Sequence, residues 1–273
     1  MKIENVAFLI PIYTPHYPFI YNLINKLEVN DIQIDIHLVF SNIEDHNNFS
    51  MKNKINSIIL PESYQTNSII TYKKFFGLQH LSNSKYDYII CCDSEIDIIC
   101  NNFTNQIIND KIKQIFDNKT IYAGNVSIHG ADIRLQTSAN LFPEKYEYLR
   151  DITNNFTLYF WWSDLPVYRR EDIIPFFNTI NYDNIVFEHF DYIIYQYYLI
   201  LYNEFKIIDT TPIINLGWSL EILKTTDNNI LNALLSINYG FSWNNINFYK
   251  LNQQFIESQK GFLIYHLNIN NWW

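Results

Sequence analysis

Three carboxylates at alternate positions, Asp93, Glu95 and Asp97, follow directly on an apolar strand pattern in residues 85–100, KYDYIICCDSEIDIIC. In an extended backbone, side chains two apart point the same way. Acids so spaced at a strand end can converge on one hard cation through oxygen ligands. The same residues also read as a strand followed by a solvated acidic turn. Glu188, Asp191 and Tyr195 recur at three- and four-residue spacing, so a helix over 187–205 would put them on one face near its start. A carboxylate there can take a proton from a hydroxyl, or merely complement the helix dipole. Trp161, Trp162 and Asp164 lie in LYFWWSDLPVYRR. Aromatic faces suit the C–H surface of a sugar and a carboxylate fixes hydroxyls, while the alternative is core packing. His266 closes an apolar run, as a metal ligand or as a satisfied core histidine.

The elements that must position these groups follow from the hydrophobic pattern. Residues 6–12 (VAFLIPI) form a continuous apolar run, expected of a strand covered on both faces of a parallel sheet. A helix starting near Pro18 buries Phe19, Leu23 and Leu27, and residues 32–40 (IQIDIHLVF) complete a β-α-β unit with a right-handed crossover. Residues 56–60 read as a third strand, 68–82 as a helix, and the apolar part of 85–100 as the central strand. After it come a helix over 104–116, a strand over 120–127, a loop over 128–140, a helix starting at 171–177, the helix over 187–205 and a returning strand over 206–209. In such sheets ligands bind beyond the carboxyl ends of the strands, which points to Tyr13 and Thr14 after the first strand and to residues 41–45 after the second.

With 273 residues the chain is long enough for a substantial core, and one domain over 1–273 is expected. A formal net charge of -9 argues against a general nucleic-acid binder and against a polybasic membrane anchor. Three cysteines without a C-x-x-C pair imply reduced, structural thiols, with Cys91 and Cys92 on opposite faces of the strand. No signal-peptide pattern opens the chain. The apolar stretch 187–205 is broken by Asp191, Gln196, Asn203 and Glu204, so it is a poor membrane span and a cytoplasmic location is expected. No repeat or flexible linker is apparent.

The order of these elements, with Asp93-Ser94-Glu95 closing a central strand, resembles glycosyltransferases of the GT-A type. The resemblance implies an α/β, Rossmann-like mixed sheet flanked by helices, in which the strand over 120–127 lies beside the central strand, with residues 1–127 as the nucleotide-sugar-binding half and 128–273 as the acceptor-binding half and tail. It implies a "DxD" motif at Asp93-Ser94-Glu95 holding Mn2+ or Mg2+ on the donor diphosphate. Donor contacts would come from Pro11, Tyr13, Thr14, Asp45, Lys74, Asp93 and Ser94, and metal ligation from Asp93, Glu95 and His266. Lys73, Lys74 and Gly77 resemble the "ARNxG" segment of family-2-like enzymes, with Phe75 standing where that motif has Asn. A cation at Lys74 would offset phosphate charge, the alternative being a solvated surface lysine. The acids that open the 187–205 helix resemble the catalytic or acceptor-binding carboxylates of these families. Asp191, one turn inside that helix, is expected to be the catalytic acid, with Glu188 behind it. The tail GFLIYHLNINNWW resembles the "H-F-x-G…P-W" signature without its Gly and Pro. Burying Trp272 and Trp273 would draw it across the sheet edge and bring His266 toward Asp93.

The implied activity is transfer of a hexosyl unit from a nucleotide sugar, a UDP-sugar being expected, to a glycan, lipid-linked or other acceptor hydroxyl. The alternatives are a sugar-nucleotide nucleotidyltransferase and a non-catalytic carbohydrate-binding protein. The first βα loop lacks the Gly-rich, basic segment with which a nucleotidyltransferase grips a triphosphate.

Overall fold

Strand β1 (Val6–Pro11) is buried along all but its first residue, as its unbroken apolar run requires. The structure is a computed structural model and describes residues 5–62, 64, 68–94, 96–98, 104–125, 131–160, 167–180, 182, 185–214 and 264–266. Helix α1 (Tyr17–Val29) leads to β2 (Asp35–Phe40), and a short helix α2 (Ile43–Asn48) to β3 (Asn56–Ile59). Helix α3 (Ile69–Leu81) returns the chain to β4 (Tyr88–Cys91), and a short strand β5 (Ile96–Ile98) follows the acidic motif. Then come α4 (Asn105–Asn118), β6 (Thr120–Ala123), α5 (Ala131–Ala139), α6 (Tyr146–Ile152) and β7 (Val167–Arg169). Helices α7 (Arg170–Thr179) and α8 (Asp191–Tyr202), strand β8 (Lys206–Asp209), the short α9 (Thr211–Ile214) and strand β9 (Ile264–His266) complete the described chain.

The central sheet has the order β3-β2-β1-β4-β7. Its first four strands are parallel, and β7 runs antiparallel to β4 with Tyr88 opposite Arg169 and Ile90 opposite Val167. The molecule is therefore a mixed α/β fold with a mostly parallel central sheet flanked by helices. Buried apolar side chains from Ala7 to Phe205 belong to one cluster. Helix α3 lies unusually close to the sheet at Gly77, where a Cβ would stand 2.6 Å from Leu9 Cδ1 and 2.9 Å from Val39 Cγ2. Gly77→Ala is expected to lower unfolding free energy by about 1–3 kcal/mol, because overpacking here must displace side chains of two sheet strands. A urea midpoint equal to wild type would show that the sheet yields freely.

A polar chain that runs from a buried histidine to a partly exposed carboxylate closes the sheet's amino edge. His37 Nε2 and Tyr86 Oη lie 2.9 Å apart, and Tyr86 donates to Asp35 Oδ2 at 2.7 Å. Since the Tyr86 hydroxyl hydrogen goes to Asp35, His37 is the donor on this side of its ring. Burial lowers the His37 pKa to about 4, against the opposing pull of Asp35. The unfolded chain then takes up this proton first as pH falls below about 6.5. Stability drops through the window from about 6.5 to 4 and levels once the folded state protonates too. Wild type should lose about 2 kcal/mol across that window that His37→Phe does not lose. Parallel stability–pH curves for the two proteins would rule this out.

Three segments differ from the sequence expectation. Strand β6 does not sit beside β4; it pairs parallel with β8, Thr120 opposite Lys206, and the place beside β4 is taken by β7. Residues 131–139 are a helix and not part of a loop. Its buried positions Ala131, Arg134, Leu135, Ser138 and Ala139 keep helical spacing, but two of them are polar, which hides the pattern. The helix expected over 187–205 begins only at Asp191. Before it the chain turns, with His189 N donating to Val186 O at 3.0 Å and Val186 N donating to His189 Nδ1 at 2.9 Å.

Candidate functional site

Of the groups singled out by the sequence, Pro11, Tyr13, Thr14, Asp45, Lys74, Asp93, Ser94 and Asp191 lie at or against the carboxyl edge of β1, β2 and β4. In a parallel sheet the helix preceding a strand starts at this edge, so the first two turns of α3 bring Thr71, Lys73 and Lys74 to it. All three are buried. Lys74 is not a solvated lysine. Its side chain is 3% exposed, and its Nζ stands 2.8 Å from Asp93 Oδ1 and 2.8 Å from Asp191 Oδ1. The other carboxylate oxygen of Asp191 accepts from Tyr168 Oη at 2.9 Å. Tyr168 comes from β7, so the antiparallel edge strand completes the surroundings of an acid carried on α8.

The electrostatics of this cluster are those of one cation between two acids. Burial pulls the Lys74 ammonium down, but Asp191 and Asp93 outweigh it and hold the pKa well above the ordinary lysine value. Burial raises the Asp191 carboxyl, with Lys74 acting against that rise. Burial also pushes Tyr168 well above its ordinary value, and the charge of Asp191 adds to the effect, so the phenol remains a donor. Asp191 is 2% exposed with both oxygens engaged, whereas Glu188 lies outside the helix, partly exposed. The segment carrying both acids is tied to α3 by Thr71 Oγ1, which donates to His189 O at 2.8 Å.

Around Asp93 the loop after β1 is bound to the acidic motif and to the end of β2. His16 Nδ1 and Ser94 Oγ, both buried, share a hydrogen bond of 2.7 Å. Thr14 Oγ1 donates to Asp45 Oδ1 at 3.0 Å, and Tyr17 Oη donates to Asp45 O at 2.6 Å. Asn42 caps α2, its Oδ1 accepting from Asp45 N at 2.8 Å. Pro11 ends β1 opposite Val39, and Tyr13 projects into solvent, 58% exposed. Lys73 Nζ donates to Ile12 O at 2.5 Å; burial draws its pKa down to about 8, opposed by Asp45. Pro11, Tyr13, Thr14, Asp45, Lys74, Asp93 and Ser94 thus share one edge of the sheet.

Sequence reasoning passed over His16 and Tyr168, and named Lys73 only as the neighbour of Lys74 in the segment before Gly77. The partners of His16 and Tyr168 are far away in sequence.

Glu95, His129, Gly130, Trp161, Trp162, Asp164, Gly217, Trp218, Trp272 and Trp273 lie outside the described residues. Strand β9 pairs antiparallel with β5, setting His266 opposite Ile96, three residues beyond Asp93. The backbone of the tail therefore returns to the acidic motif. Among the described residues no group of three or more His, Cys, Asp or Glu side chains is placed to hold a metal. At the edge the Asp93 side chain is 20% exposed, with one carboxylate oxygen 2.8 Å from the Lys74 ammonium. Asp93 supplies one oxygen donor of the kind that hard divalent cations take, and the described residues alone do not complete such a site. Among the described residues no helix is long and apolar enough to cross a membrane.

No known protein family matches the chain, and no curated protein matches its sequence. Among solved structures it is similar to a mycobacterial protein, at 14% identity and a TM-score of 0.34 over 62% of this chain and 54% of that one. It is also similar to the mannosyltransferase Ktr4p from S. cerevisiae, at 13% identity and a TM-score of 0.29 over 53% of this chain and 46% of that one. The chain thus spans about half the length of each. Overlaps of this extent assign neither a family nor an activity.

Proposed function

We propose that this chain is a metal-dependent glycosyltransferase of GT-A architecture, moving a hexosyl unit from a nucleotide sugar to an acceptor hydroxyl. A UDP-sugar is the expected donor, and a glycan, lipid-linked or other hydroxyl compound the acceptor. The observation that carries this reading is the convergence, at the carboxyl edge of a mostly parallel sheet, of Asp93 after β4 with the Thr14–Asp45 pair after β1 and β2. Such an edge is where α/β sheets bind nucleotides.

In this proposal Asp93 holds Mn2+ or Mg2+ together with Glu95 and His266. The cation would supply charge stabilisation for the departing nucleoside diphosphate. Tyr13 and the fixed Thr14–Asp45 pair face the base and ribose, and His16 holds Ser94, fixing the backbone beside Asp93. Of the two candidate acids, exposure favours Glu188 over Asp191 for contact with an acceptor. Glu188 takes the acceptor proton if the reaction inverts, and stabilises a positively charged sugar ring if it retains.

The test is release of nucleoside diphosphate from a panel of nucleotide sugars with Mn2+, without added acceptor and then with oligosaccharides. A transferase hydrolyses its donor slowly without acceptor. Release of pyrophosphate from sugar phosphate and nucleoside triphosphate would indicate a nucleotidyltransferase, and absence of any turnover with retained sugar binding a binding module.

A further inference from the structure

We propose that Lys73 fixes the chain leaving β1 in the conformation that takes a nucleotide, acting through the carbonyl of Ile12. The inference rests on the nucleotide-binding role proposed for this edge. Lys73 Nζ donates to Ile12 O at 2.5 Å, at the residue before Tyr13 and Thr14. Ile12 is buried, and its own N–H donates to Val39 O at 3.0 Å, so both of its backbone groups are held. Beyond it the chain is tied at three more points: His16 N donates to Tyr13 O at 2.8 Å, Thr14 Oγ1 to Asp45 Oδ1, and Tyr17 Oη to Asp45 O. Lys73 thus grips the junction between the sheet and the segment assigned above to the base and ribose. It does so from a firm base, because α3 is packed hard against Leu9 and Val39 at Gly77, one turn further on.

Stability alone is a poor account of a charge at this place. Lys73 is 4% exposed, and among the described residues no carboxylate lies within ion-pair distance of its ammonium. An ammonium taken out of water without a paired acid is costly, and burial accordingly draws its pKa down to about 8, with Asp45 opposing. An apolar side chain of the same length would avoid that cost and forfeit one hydrogen bond, worth about 1 kcal/mol. What it could not do is hold the Ile12 carbonyl, and with it the turn into Tyr13, in one position before a ligand arrives. A loop that is already ordered binds more tightly, because the ligand does not have to order it. Lys73 is in this account a positioning residue, acting on the nucleotide through Ile12 and the segment that follows.

Lys73→Met keeps the length of the side chain and removes both donor and charge. The full chain should still fold, since an unpaired buried charge is lost with the bond. Calorimetric titration with UDP, GDP, CDP and ADP in MnCl2 should show the best wild-type ligand bound about tenfold more weakly, the weakening expected when one residue has to be ordered on binding. Hydrogen–deuterium exchange at residues 12–17 should quicken in the variant and return to the wild-type rate at saturating nucleotide, while the rest of the chain exchanges as before. A residue that merely stabilised the fold would instead quicken exchange throughout. Wild-type affinity in Lys73→Met overturns the inference, and so does weakened binding with unchanged exchange at residues 12–17. If Lys73→Met does not fold, Lys73→Leu decides by the same two readings. Failure of both variants to fold shows that Lys73 holds the fold itself, which also refutes the inference. A wild-type chain that binds none of the four nucleotides refutes instead the proposed function on which the inference rests.

Discussion

Asp93→Asn is expected to abolish Mn2+-dependent binding of the nucleoside diphosphate, by about a hundredfold or more, while leaving the fold intact. The substitution takes away the negative charge of the proposed metal ligand at the edge, and hard divalent cations depend on such charge. The fold should survive because Lys74 keeps its contact with Asp191, so no buried ammonium is left without a counter-ion. Titration with UDP in the presence and absence of Mn2+, together with a melting curve, checks both halves. Unchanged affinity would remove Asp93 from the site.

The second large effect is expected at Glu188. If it takes the acceptor proton, Glu188→Gln should lower turnover about a hundredfold to ten-thousandfold, the usual range for losing a general base. Donor affinity should stay near wild type, because the lost interaction is made chiefly in the transition state. Asp191→Asn should behave otherwise. Its defect should lie in stability, because the buried Lys74 ammonium and the Tyr168 hydroxyl would lose the charge they both bind. If Asp191→Asn instead lowers turnover at saturating Mn2+ and Glu188→Gln does not, the two acids must exchange roles.

These roles show what a sequence reveals and what only the folded chain does. Strands β1, β2 and β4 were legible because a strand buried on both faces must be apolar throughout, which VAFLIP and the run into Cys91 are. The α3 pattern also stood out, and the place of its glycine now has a cause in the close approach to Leu9 and Val39. The start of α8 was missed because apolar periodicity continues smoothly through Phe187 and Phe190, while the turn before Asp191 is made by His189 and its backbone partner Val186. Helix α5 was missed because its buried face is built from Ala, Ser and Arg as well as Leu.

Within the site, the edge position of Tyr13, Thr14, Asp45 and Asp93 follows from strand order and was accessible to sequence reasoning. The fate of Lys74 was not. Its partner on α8 lies 117 positions away, and no local pattern can tell a lysine that will be buried between two acids from one that will point into water. The same limit applied to Tyr168, whose hydroxyl reaches Asp191 only because β7 is inserted beside β4.

The central claim is most directly tested by thermal-shift measurement of the full chain with nucleotides and nucleotide sugars, each with and without Mn2+. A ligand that binds only the native state raises apparent stability by about 2.7 kcal/mol at a hundred times its dissociation constant, which for a chain of this size is a rise of several degrees. A rise for nucleoside diphosphates and their sugars that requires Mn2+, and that Asp93→Asn abolishes, is the predicted result. No shift with any nucleotide, or an equal shift without the metal and in Asp93→Asn, would contradict it.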